Sequence, residues 1–384
     1  MVSDIAFNLP NGPSIAEFSS VTRSVNIASY TSFSSNFVTS GSSFINSTIG
    51  SITLVADNMN IGSSSSIIAA SNQVLLRPKT NGTLINFGAV DATGTLGLTD
   101  SELDRITANT IIIGDANSGT ITTSSSISRA AATNIALKSR GAISTNPGSI
   151  DTHSGTMLLD AGVGGIQPVS SGPDIIASSV SFASGVSLAI QIDGPTVDSQ
   201  YRQLNVTSSV NLIGASLSVT SNFPSIVGNE VFTIISATTG LIGTFSNFPV
   251  GSQVVIGSLN YAIHYNANSV VVIRVPSAIH EAYLFYKDSA YQTAFGVGGA
   301  IDPMNDGANP EGKDLLQSGT TAQATGIINV SNYSRGINGL VFDVRNLGTS
   351  TLSASDFVFR RPLSRESSIL VRGLASFRHR QQSM

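Results

Sequence analysis

The loop Asp302-Pro303-Met304-Asn305-Asp306-Gly307-Ala308-Asn309 gathers the residues best suited to chemistry. Asp302, Asn305, Asp306 and Asn309 offer hard oxygen donors of the kind calcium takes. Their spacing is not that of an EF-hand, and the same residues equally build plain Asx turns. In the repeat region acids are sparse, among them Asp57, Asp91, Asp100, Glu102, Asp104, Asp115, Asp151 and Asp160. Asp151 and Asp160, with His153 between them, come closest to a cluster, yet they stand in turn contexts that favour Asp for backbone reasons. Glycoside chemistry needs two carboxylates facing one bond, so no reaction is expected. Asp104 and Arg105 read as the solvated outer face of a short helix. His264, His280 and His379 stand alone, without zinc spacing. The chain has no Cys, which excludes a thiolate nucleophile, Cys-ligated zinc and a disulfide scaffold. No G-x-S-x-G elbow and no P-loop is present.

The elements that would carry such residues are short strands and turns. One exception is Leu98-Thr99-Asp100-Ser101-Glu102-Leu103. Thr99 and Glu102 have the spacing of a capping box, and Leu98 and Leu103 that of a hydrophobic staple. This predicts one short helix. Asn109-Thr110-Ile111-Ile112-Ile113-Gly114 is then a β-branched run closed by a turn residue, and Asp115-Ala116-Asn117-Ser118-Gly119 is turn chemistry. Gly50–Ala56, Gln73–Pro78, Thr83–Gly88, Asn134–Lys138 and Gly155–Asp160 repeat this strand-and-turn grammar. The period is on the order of 20 residues per pair of strands, within the solenoid range.

Composition agrees. Only 11% of residues are charged against 41% hydrophobic. Disorder needs the reverse balance, and stacked strands with Ser/Thr/Asn surfaces meet this one. The net charge of −4 gives no reason to expect a nucleic-acid partner. No apolar stretch reaches the roughly 18 residues of a membrane-spanning helix.

The run LTDSELDRITANTIIIGDANSGTITTSSSI, residues 98–127, resembles filamentous-haemagglutinin-like and autotransporter-passenger-like surface proteins, of the planctomycete type. The segment Tyr201-Arg202-Gln203-Leu204-Asn205-Val206-Thr207 resembles the passenger-end pattern YDQLNVTG. Arg202 stands where an acid is common, and Ser208 where Gly is common. Tyr333-Ser334-Arg335-Gly336-Ile337-Asn338-Gly339 resembles a signature of small β-sandwich modules at the far end of such proteins. The resemblance implies an exported, non-enzymatic structural or adhesin-like protein at the cell surface. Met1-Val2-Ser3-Asp4 does not open a signal peptide, so the sequence reads as a fragment of a longer export product.

The expected fold is all-β: a parallel β-helix solenoid followed by a small β-sandwich. Residues 1–45 read as irregular first rungs, 46–180 as the repeat region, 181–276 as the end of the β-helix, 279–361 as the sandwich and 362–384 as a basic tail. From Arg360 onward the chain holds six Arg and one Glu. Expected partners are carbohydrate or a cell-surface protein, reached through turn loops or through Tyr283, Tyr286 and Tyr291, which equally suit a sandwich core. Open β-helix ends would favour self-association. No cofactor is expected beyond calcium at the loop of Asp302. The alternatives are a β-helix carbohydrate-active enzyme and a calcium-dependent carbohydrate-binding module on a stalk.

Overall fold

In the computed structural model the described residues are all-β, with 55% strand and 2% helix. The structure describes residues 15–19, 30–33, most of 36–275 and then 278–286, 300–302 and 339–345. Short gaps in the long stretch fall at 41–43, 48, 146, 169–171, 223–229 and 257–258. The chain divides into two compact units, one of residues 1–257 with 261–274, the other of 258–260 with 275–384.

The first unit is a parallel, β-helix-like solenoid. From Ile106 to Ala237 each turn of chain visits three sheets in succession. One turn runs through Asn134–Ser139, Ile143–Thr145 and Ile150–Asp151; the next runs through Thr156–Ala161, Ile166–Pro168 and Ile175–Ile176. Successive turns pair parallel in strict register: Ile135 with Met157, Ile143 with Ile166, Ile150 with Ile175. Hydrogen-bonded side chains on neighbouring turns are therefore 22 to 24 residues apart here, and 30 to 32 in the last turns. The coil is three-sided, where the sequence pattern suggested pairs of strands. The third strand is only two residues long, as in Ile127–Ser128 and Ile150–Asp151, too short to show alternation.

Register explains the core. Side chains of a strand alternate in direction, so a residue facing inward stacks on its counterpart one turn away. Ile111, Ile135, Met157, Val180 and Val210 form one inward column. Ile121, Ile143, Ile166 and Leu188 form a second, and Ile127, Ile150, Ile175 and Val206 a third. All are buried. Each such side chain contributes about 1.5–3 kcal/mol by leaving water, and no single turn could bury it alone.

Corners need glycine where two turns nearly touch. Gly114 has φ +81°, and a Cβ there would lie 2.2 Å from the Lys138 carbonyl oxygen. Gly165, at φ +64°, would meet the Ser187 carbonyl oxygen at the same distance. Gly165 thus makes a corner of the coil, and all three sheets run on past it.

One turn is longer than the rest. After Leu84–Phe87 the chain doubles back through residues 88–94 and lays Thr95–Leu98 parallel to it, with Leu84 opposite Thr95. The helix Asp100–Leu103 follows, then the strand Ile106–Ile113 rejoins the regular stack opposite Ser66–Arg77. The helix carries the expected capping box, with Thr99 and Glu102 exchanging side-chain and backbone hydrogen bonds. Leu98 and Leu103 are both buried.

At its other end the solenoid changes character. Val231–Ala237 still pairs parallel with Leu204–Val206, but on its far side it takes Ser269–Arg274 antiparallel, which in turn pairs with Leu259–Tyr265. In the second unit, Ala278–Tyr286 pairs antiparallel with Gly339–Arg345 and with Ala300–Asp302.

Candidate functional site

The calcium-loop residues are only partly placed. Asp302 ends the strand Ala300–Asp302, opposite Leu284; Asn305, Asp306 and Asn309 lie outside the described residues. Tyr283 and Tyr286 fall on the strand Ala278–Tyr286, opposite Val341 and Ala300, while Tyr291 lies outside the described residues. Asp151 and Asp160 sit on different sheets. Asp151 accepts the His153 N–H at 2.8 Å within a tight turn where His153 and Ser154 have positive φ. Asp160 forms an ion pair with Lys138 at 3.0 Å. No group of three or more metal-binding side chains occurs among the described residues.

The structure instead builds a site around the long turn. A cleft of about 720 Å³ opens between the Asp57 turn and the doubled-back segment. Asp57, Asn58, Thr80, Thr83, Asp91 and Thr93 line it. Asp57 closes a turn of the neighbouring coil: Oδ1 accepts the Lys79 and Thr80 N–H groups at 3.0 and 2.7 Å, and Oδ2 accepts the Thr80 hydroxyl at 2.7 Å. Asp91 Oδ1 accepts the Gly97 N–H at 2.8 Å, and its carboxylate also takes the Met59 N–H. Burial pushes the Asp91 carboxyl up to about 6, the two N–H donors hold it down in part, and the Glu102 charge raises it further.

Asp91, together with Glu102, meets the edge of a sheet. The three-stranded parallel sheet of Ile15–Ser19, Asn36–Ser40 and Asn58–Ile61 ends at Asn58–Ile61. In a strand, alternate residues point their N–H and C=O groups to the same side. Met59 gives its N–H to Asp91, and Ile61 gives its N–H to Glu102 Oε1 at 3.2 Å. The Ile61 carbonyl accepts from Arg105 Nη1. Three side chains of the long turn thus occupy the places of a missing strand. Glu102 also reaches the Thr99 N–H through Oε2 at 2.9 Å, so one carboxylate both caps the helix and seals the sheet.

Asp104 and Arg105 are therefore structural partners and not merely a solvated face. Asp104 pairs with Arg129 at 3.5 Å, and Arg129 Nη2 donates to the Ile106 carbonyl at 2.6 Å. Burial lowers the Arg129 pKa, partly opposed by Asp104 and then Asp100. Sequence spacing gave no hint of this group, because its partners lie 41 and 44 residues apart.

Two carboxylates with different surroundings around a cleft are the pattern of an acid–base pair. Here Asp57 holds two backbone N–H groups through Oδ1 and the Thr80 hydroxyl through Oδ2, and Asp91 Oδ1 holds the Gly97 N–H, which ties both to closing turns. Compared with family models, curated proteins and solved structures, the chain matches none.

Proposed function

We propose that this chain is a non-enzymatic structural or adhesin-like protein of the bacterial cell surface. Its solenoid serves as a rigid shaft, and the residues around 279–361 form a small β-sandwich as the module it carries. The observation that supports this reading is how the acids of the solenoid are used. Every acidic residue from Asp57 to Asp193 has a partner in holding the coil together. Asp57, Asp91 and Glu102 bind backbone N–H groups. Asp100, Asp115 and Asp151 do the same. Asp104 and Asp160 are in ion pairs. Asp174 and Asp193 bridge neighbouring turns. A shaft needs carboxylates in that role, whereas a hydrolase needs two left free to face a substrate.

The cleft of Asp57 and Asp91 favours one second reading, a carbohydrate-active enzyme. One experiment separates the two. The whole chain is incubated with a panel of acidic and neutral polysaccharides, with calcium and then with EDTA, and both retention and new reducing ends are measured. The shaft reading expects no reducing ends under either condition. Depolymerisation that disappears in Asp91→Asn would replace it with the enzymatic one. Retention lost in EDTA would assign the calcium loop to the terminal module.

A further inference from the structure

We propose that residues 88–105 form an acid-tightened latch on the Asn58–Ile61 edge, closed by Asp91 and Glu102 in place of a β-strand. The geometry comes first. A parallel sheet that stops in mid-solenoid leaves N–H and C=O groups that must find partners. Asp91, Glu102 and Arg105 supply them at Met59 and Ile61, and all three belong to the one segment that departs from the regular coil. Backbone bonds fold the segment on itself, Gly88 N–H to the Leu98 carbonyl, and hold it to its neighbours at Gly94 and Arg105: Leu84 N–H to the Gly94 carbonyl, and Ile67 N–H to the Arg105 carbonyl. Contact of the segment with the Asn58–Ile61 edge runs through the side chains of Asp91, Glu102 and Arg105.

Two like charges are part of that contact. Glu102 faces Asp91 from the helix, and Asp57 shares its cleft from the preceding turn. Arg105 is the nearby cation and is engaged by the Ile61 carbonyl. Asp100 and Asp104 turn to the next coil, where they meet the Ser128 N–H and Arg129. Closing the latch therefore half-buries a carboxylate beside other carboxylates. A protonated carboxyl removes the repulsion and still accepts N–H donors through its carbonyl oxygen.

The sign follows from linkage. The Asp91 carboxyl titrates at about 6 in the closed latch against an ordinary 3.8. A raised value means that the contribution to closure is fully present below the ordinary value and is lost as pH rises through about 6. The latch is tightest in acid and loosens toward neutral pH.

Amide hydrogen exchange on the whole chain tests this, with protection factors corrected for intrinsic exchange. The Met59 and Ile61 amides are followed at pH 5 and pH 7.5, with the core amide of Leu137 as reference. Protection at Met59 and Ile61 should be about three- to tenfold higher at pH 5, after allowance for partial exposure of the group, while Leu137 stays constant. Asp91→Asn keeps an acceptor oxygen without the charge and should be protected equally at both pH values. Protection independent of pH in the unaltered chain, or an unchanged pH response in Asp91→Asn, would overturn the latch.

Discussion

Asp174 has no exposed surface at all. Its Oδ1 accepts the Thr145 hydroxyl at 2.5 Å and its Oδ2 the Asn205 N–H at 2.8 Å, so one carboxylate joins the turn before it to the turn after it. Burying a charge is costly unless its oxygens are satisfied by donors, and the coil brings those donors to Asp174 from 29 and 31 residues away. Asp174→Ala leaves a hydroxyl and an N–H without this acceptor in a dry site. The expected loss is about 2–4 kcal/mol in urea unfolding. An alanine variant within about 0.5 kcal/mol of the parent would show that water replaces the carboxylate. Asp57 gives the contrast: it makes three similar bonds in an exposed turn, where water competes and the same truncation should cost far less.

At the scale of the element, direction decides everything. In Thr156–Ala161, Leu159 is fully buried while its neighbour Leu158 is 39% exposed. Leu159→Ala should therefore cost about 2–5 kcal/mol by opening a cavity in the inward column. Leu158→Ala should stay within about 1 kcal/mol. Thermal or urea unfolding of the two variants checks the register of the whole sheet, because a slip by one residue would exchange the two results. The same contrast explains what could be read from sequence. Strand alternation and the Thr99–Glu102 capping box depend on residues a few positions apart, and both were legible. The third side of the coil was not, since two-residue strands such as Ile150–Asp151 carry no periodicity. Nor was the sealing of the Asn58–Ile61 edge. Asp91 and Arg105 look like ordinary surface charges, and Glu102 like a helix cap alone, until the stacking register sets them against residues on an earlier turn. The calcium loop rests on oxygen donors gathered in one short stretch without EF-hand spacing, and three of its four residues lie outside the described part of the chain.

For the molecule as a whole, the physical problem of a stacked sheet is its ends. An uncovered rung offers a row of N–H and C=O groups to any other chain. At the C-terminal end of the first unit, Asn247 answers this with its side chain. Its Oδ1 accepts the Leu217 N–H at 2.9 Å, and its Nδ2 donates to the Leu217 carbonyl at 2.8 Å, the two bonds that another strand would have made. The fully buried Phe245 seals the core beside it, and the Tyr265 hydroxyl holds that loop by accepting the Phe245 N–H at 3.2 Å and donating to the Phe248 carbonyl. The antiparallel strands Leu259–Tyr265 and Ser269–Arg274 end the parallel stacking of their sheet in the same region. This arrangement occupies the groups through which end-on growth at the Leu217 edge would proceed. Asn247→Ala alone should cost about 1–2 kcal/mol through its two lost bonds. Combined with Phe245→Ala, it should bare the Leu217 edge and give concentration-dependent association in sedimentation velocity, while the parent chain should sediment as a single species at every concentration. A double variant that sediments like its parent at every concentration would mean that the antiparallel strands block the edge unaided, and the capping role would pass from Asn247 to them.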